Sequence, residues 1–232
     1  MSAHGGPFSL TPWRPLKEFR RTDTIKDMKP MTILQLQALQ DAVLENAKAL
    51  IADAEFLAEN IRHERAFSLA VLACEELAKS PILSQACIEL VIGEPVDWNA
   101  IGRFMRTHDQ KLTLMASLDF IAAVQSRQMR TLFMQHRGDK IVRRRPKEIN
   151  IAKQDGFYVD VNDDGTPKKP SQTIRPKDVF EVLQLANKAY EMLSGAVVEG
   201  RAFIARESPE AIRRFRKDLR PTAELVRQLT GN

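Results

Sequence analysis

From Thr32 to about Asn60 the apolar residues Leu36, Leu39, Val43, Ala47, Leu50, Ala54 and Leu57 recur at steps of three and four, with no glycine or proline among them. That period predicts a long amphipathic helix. The next run, Glu64 to Val91, is patterned differently, because from Ala66 to Ala78 only Ser68, Glu75 and Glu76 interrupt the apolar residues. A helix apolar on nearly every face belongs at the centre of a fold. Pro81 lies inside the run and is expected to kink or divide it, since proline removes a backbone donor and clashes with the preceding turn.

Gly93 and Pro95 then punctuate the chain, and Asp97 reads as the N-cap of a short helix through Phe104. Thr107 and Gln110 have the spacing of a capping box, so His108 would open a new helix running to about Phe133, with Leu112, Met115, Leu118, Ile121 and Ala122 inward. From Lys147 to Pro176 the periodicity is lost. Phe157-Tyr-Val-Asp-Val161 followed by Asp164-Gly165 reads as a short strand or hairpin ahead of a polar, proline-bearing loop. Val179, Leu183, Ala186, Tyr190, Leu193 and Val197 mark another long helix, to about Ala205. Ser208-Pro209-Glu210 starts a last one, with Ile212, Phe215 and Leu219 on one face and Arg213, Arg216, Lys217 and Arg220 on another.

The pattern predicts an all-α bundle of long antiparallel helices with a small β-like hairpin and loop insertion. Its parts are an N-terminal arm over 1–30, rich in glycine and proline, a helical domain over 31–207 with the insertion at 147–176, and a basic amphipathic helix over 208–232. Trp13, Leu16 and Phe19 of the arm are positioned to dock on the body.

Composition changes this picture little. Of 232 residues, 44% are hydrophobic, enough for a real core. Lys+Arg exceed Asp+Glu by 35 to 30, a net charge of +5, which permits a polyanionic partner without the excess of architectural nucleic-acid binders. Cys74 and Cys87 are placed on the order of 20 Å apart along one helical region and cannot pair without breaking it. Such cysteine usage, with no signal peptide and no long apolar run, points to the cytoplasm and away from a membrane.

Candidate chemistry concentrates in Arg103-Phe-Met-Arg-Thr-His108-Asp-Gln-Lys111, which gathers a histidine and three cations. On an unbroken helix Arg103 and His108 would point about 140° apart, at about 100° per residue. A break at Thr107 removes that obstacle and leaves the imidazole at a helix N-terminus, where free amides attract an anion such as phosphate. Arg130 and His136 form a second cation–histidine pair of similar spacing, and Arg143 and Arg144 belong to a basic exit before Pro146. Together with Arg103, Arg106 and Lys111, the basic segments Lys140 to Lys147 and Arg213 to Arg220 offer a path for a phosphate backbone.

Glu75 and Glu76 sit in the most apolar helix and must be paired or hydrogen-bonded there. Either one faces solvent while the other bridges to Lys79 or a neighbouring arginine, or one orients Arg103 or His108. A di-metal centre requires Glu-x-x-His pairs, which the sequence lacks; Glu59 and His63 supply at most half a site. Asp160 to Gly165 matches the first half of a calcium loop, but the twelfth position is Ser171 and prolines interrupt the rest, so it reads as a turn. No metal or other cofactor is expected.

Ala66 to Lys79, read as A-F-S-L-A-V-L-A-C-E-E-L-A-K, then F-M-R-T-H-D-Q-K, then D-G-F-Y-V-D-V-N-D-D-G, in that order, resembles the abortive infection protein V (AbiV) family of HEPN-domain proteins. The resemblance spans about residues 32 to 205, and its most specific parts are the glutamate helix and Tyr158-Val-Asp160. The chain departs from the family pattern in carrying Ala78 where a glycine is usual and Pro81 just beyond. The resemblance implies a HEPN fold, usually dimeric, acting in antiviral defence, and in many HEPN proteins a metal-independent endoribonuclease with an arginine four to six residues before a histidine.

Arg103 and His108 fit that signature. His108 would act as general acid or base toward the ribose 2′-hydroxyl or the leaving 5′-oxygen, and Arg103 would hold the scissile phosphate. Arg106 and Lys111 would assist phosphate binding, and Glu75 or Glu76 would hold the cations. Two sites meeting across a homodimer would supply a second acid–base group. Arg130 and His136 also fit the signature. The alternative that the resemblance leaves open is a non-catalytic HEPN-fold protein that binds a phage-encoded or translation-associated component and blocks protein synthesis, its binding carried by surface charges such as Arg213 and Arg216.

Overall fold

The structure, a computed structural model, describes residues 28–115, 146–170 and 174–217. Helix α1 (Ile33–Glu59) begins on a complete capping box: Thr32 Oγ1 accepts from the Gln35 amide at 3.3 Å, and Gln35 Oε1 accepts from the Thr32 amide at 2.9 Å. Two free amides of the first turn are thereby satisfied. Its length, about 40 Å at 1.5 Å per residue, lets it serve two apolar clusters. Leu36 and Val43 join one with Leu83, Ala86, Cys87 and Ile101; Ala47, Ile51 and Ala54 join the other with the buried residues of 66–78.

The apolar run does divide. Helix α2 (His63–Leu77) ends at Ala78, and α3 (Lys79–Val91) carries Pro81 in its first turn. Pro81 has no N–H to offer the carbonyl four residues back, at Leu77, which is where α2 stops. Helix α2 is the central element, packed against α1 and against two later helices, Pro146–Asp155 and Pro176–Arg206. Ala66, Phe67, Ala70, Val71, Ala73, Cys74 and Leu77 are all buried along it. Cys74 and Cys87 end on different helices and form no disulfide; burial pushes the Cys87 thiol upward, with Arg201 opposing.

Asp97 caps α4 (Trp98–Arg106) through a 2.8 Å bond from the Ala100 amide to its carboxylate. Helix α5 follows, described over 108–115, with Leu112 and Met115 buried; the rest of the helix expected to about Phe133 lies outside the described residues. Beyond them come α6 (Pro146–Asp155), a hairpin of β1 (Asp160–Val161) and β2 (Pro167–Lys168), and α7 (Pro176–Arg206). The hairpin pairs Asp160 with Lys168 and Val161 with Pro167, antiparallel, and turns through Gly165 at φ 80°. Its Asp164 carboxylate accepts from the Thr166 hydroxyl and amide, bonds that hold it below its usual range, so the loop closes as a turn.

Two expectations need correction. Residues 146–155, expected within a loop, form a helix. Its buried position is occupied by Lys153, with Gly156 buried just past its end, so the segment shows no apolar stripe although Ile149 and Ala152 pack on the core. The final helix, α8, described over 209–217, starts at Ser208, whose Oγ accepts from the Ala211 amide at 3.2 Å. Its charged side is engaged: Arg213 donates to the Ile92 carbonyl, and Arg216 pairs with Glu94 and, at 3.3 Å, with Glu89. Ile212 is buried beneath it, and Phe215 lies 5.1 Å from the Phe203 ring. Arg213 and Arg216 thereby tie α8 to the body, while Arg214 and Lys217 stay exposed.

Candidate active site

Glu75 organises the site. It sits near the C-terminal end of the buried helix α2, 1% exposed, where a carboxylate demands partners. Three arrive from two other elements. Its Oε2 meets His108 Nδ1 at 2.5 Å, and its Oε1 accepts from Lys153 Nζ at 2.6 Å. Lys111 Nζ stands 3.6 Å from Oε2. His108 and Lys111 are on α5, one turn apart; Lys153 is in the last turn of α6.

The three partners differ in exposure, and that decides what each can do. Lys111 and Lys153 are 4% and 6% exposed. Burial pulls the Lys111 ammonium below its ordinary range, and Glu75 pulls it back up. The His108 side chain is 50% exposed. With the carboxylate accepting at Nδ1, a neutral ring would carry its proton on that nitrogen and its lone pair on Nε2. Nε2 has no partner among the described residues. The ring is thus held on one side by a buried carboxylate and open to solvent on the other.

The break at Thr107 is present, but the capping box is not. Thr107 leaves the helix at φ −95° and ψ 107°, and its hydroxyl donates to the Arg103 carbonyl at 2.8 Å instead of capping α5. A hydroxyl that can bond its own i−4 carbonyl competes with the forward cap. The break still reorients the chain, so that His108 turns to Glu75 while Arg103 and Arg106, in the last turn of α4, stay exposed. Arg103 makes no side-chain hydrogen bond or ion pair with the described residues.

Of the other expected site residues, Glu76 pairs with Lys79 at the end of α2, apart from the His108 contact. The two glutamates therefore divide the alternatives between them: Glu76 bridges to Lys79, and Glu75 orients the histidine. Arg130, His136, Arg143 and Arg144 lie outside the described residues. Among the described residues no group of three or more His, Cys, Asp and Glu is gathered as a metal set.

Lys153 was not foreseen from the sequence. The signals that bear on it are Pro146 followed by Glu148, a helix start, and Gly156 past the end. Gly156 is where α6 meets α2: a Cβ there would fall 2.1 Å from Ser68 Oγ and 2.5 Å from the Glu64 carbonyl oxygen. Ser68 uses the approach to donate to the Lys153 carbonyl at 2.8 Å. Gly156→Ala should therefore push α6 off α2, costing about 1–3 kcal/mol as overpacking does. Denaturant unfolding reads that loss, and a stability equal to wild type would mean that the contact yields freely.

The described residues form a helical bundle with one two-stranded hairpin, an all-α fold consistent with the HEPN type. The family model described as AbiV matches residues 35–191, more than half of the chain, and the chain belongs to that family of HEPN proteins. Membership associates it with abortive-infection defence. No curated protein and no solved structure matches it. Among the described residues no helix is long and apolar enough to cross a membrane.

Proposed function

We propose that this protein is an abortive-infection effector that cleaves RNA without a metal ion, acting as a homodimer. The observation that carries the reading is His108, held through Nδ1 by a buried carboxylate at 2.5 Å while half of its side chain stays open to solvent. In the reaction Nε2 takes the proton of a ribose 2′-hydroxyl. The 2′-oxygen forms a bond to phosphorus, and the bond from phosphorus to the 5′-oxygen breaks, leaving a 2′,3′-cyclic phosphate. The departing oxygen takes a proton and becomes a 5′-hydroxyl. One imidazole per chain serves one of these transfers, and the same residue of a second copy supplies the other.

Arg103 and Arg106, exposed at the end of α4, supply positive charge for the phosphate, whereas Lys111, expected to join them, is buried with its ammonium turned to Glu75. The test is incubation of RNA with the purified protein in excess chelator, followed by analysis of the ends. Cyclic phosphate and 5′-hydroxyl termini are expected, and Arg103→Ala should slow cleavage by about 10²-fold, the usual loss for one oxyanion donor. Products ending in 5′-phosphate would contradict the mechanism.

A second reading, a non-catalytic protein that binds a phage-encoded or translation-associated partner, draws support from the hairpin. Tyr158, Val159 and Val161 are 69%, 67% and 65% exposed. RNA left intact under every condition, together with a protein partner that stays bound, would favour it.

A further inference from the structure

We propose that Lys153 is a positioning residue that fixes the tautomer of His108 by holding the Glu75 carboxylate in one orientation. The inference rests on the reading of His108 as the proton-transfer group. A glutamate's terminal torsion is broad and does not by itself fix which oxygen faces a neighbour. Here Oε1 accepts from Lys153 at 2.6 Å, a charge-assisted bond on a buried group, and this leaves Oε2 facing the imidazole. Lys111 at 3.6 Å from Oε2 makes the longer and weaker contact and holds that plane less firmly.

Lys153 also reaches within 3.4 Å of His108 Nδ1. An ammonium has only donors to give, so it would favour a lone pair on Nδ1 if it turned from Glu75. One of its three donors goes to Oε1 at 2.6 Å, and its 3.4 Å approach to Nδ1 is weak beside the 2.5 Å contact of Nδ1 with the carboxylate, which keeps the proton there. Lys153 is itself fixed from two directions. The Ser68 hydroxyl holds its carbonyl to α2, and Asp155, two residues on, pairs with Lys168 of β2 at 2.7 Å. The groups facing the ring from packed elements are then Glu75 of α2, Lys153 of α6 and Lys111 of α5 itself, with Lys79 and Glu76 acting on Lys111 from farther off.

The test is nitrogen-15 spectroscopy of histidine-labelled full-length protein, at a pH where the ring is neutral, with His108 assigned by its loss in His108→Ala. Wild type should show the proton on Nδ1. Lys153→Met should shift a substantial share of the neutral ring to the Nε2-protonated form and lower kcat about tenfold or more, with KM little changed. Lys153→Gln, which keeps a donor for Oε1, should restore most of the Nδ1-protonated population and keeps the question answerable if the methionine variant unfolds. A folded Lys153→Met with a wild-type tautomer and kcat would assign Lys153 a packing role only, and a folded Lys153→Gln with its neutral ring mostly Nε2-protonated would show that a donor to Oε1 does not fix the tautomer. Because the spectra need no substrate, a protein that cuts no RNA yet shows the tautomer change would overturn the cleavage reading alone.

Discussion

Glu75→Ala is expected to destabilise the protein by about 3–5 kcal/mol, the usual cost of removing one partner from a buried ion pair. The magnitude follows from what is left behind. Lys153 and Lys111, 6% and 4% exposed, would lose the carboxylate that each is paired with among the described residues. Each would have to lose its proton or draw water into the junction of α2, α5 and α6. The same change frees His108, so cleavage should fall well beyond what partial unfolding explains. Glu75→Gln separates the two effects: it keeps the shape and an acceptor oxygen while removing the charge, and should lie between wild type and alanine in denaturant unfolding. An unchanged midpoint for Glu75→Ala would mean that the lysines are solvated and that the network does not hold the fold.

His108→Ala is expected to do the opposite, leaving stability nearly intact while removing activity. The side chain is half exposed, and without it Glu75 still has Lys153 at 2.6 Å, so no buried charge is orphaned. General acid–base catalysis contributes about 10²–10⁴-fold, so the variant should lose at least that much of its cleavage rate. A protein in which His108 only braces the site would show the reverse, a stability loss with whatever activity it has preserved.

The contrast between these two residues also marks what could be read from the chain. The helices were legible where burial is written in apolar residues, as in Leu36 through Ala54 of α1 or the run from Ala66 to Leu77. Pro81 announced the division of that run because its effect is steric and local. Glu75 stood out because a carboxylate amid such residues needs partners, and His108 was among those named for it. Lys153 escaped for the converse reason. A lysine in a polar segment looks like any solvated lysine, and only the close approach at Gly156 brings it inward. Arg213 and Arg216 misled similarly, since a basic helix face gives no sign that Glu89, Glu94 and the Ile92 carbonyl await it. At Thr107 the break was visible but its hydrogen bond was not, because a threonine hydroxyl serves a forward amide or a backward carbonyl equally well.

The central claim is that His108, steadied by Glu75, transfers a proton during RNA cleavage. Its most direct test compares wild type with His108→Ala on RNA in excess chelator, with the helical signal of both followed by circular dichroism. The account predicts cleavage by wild type and none by His108→Ala at equal helicity. Equal cutting by both would remove His108 from the chemistry.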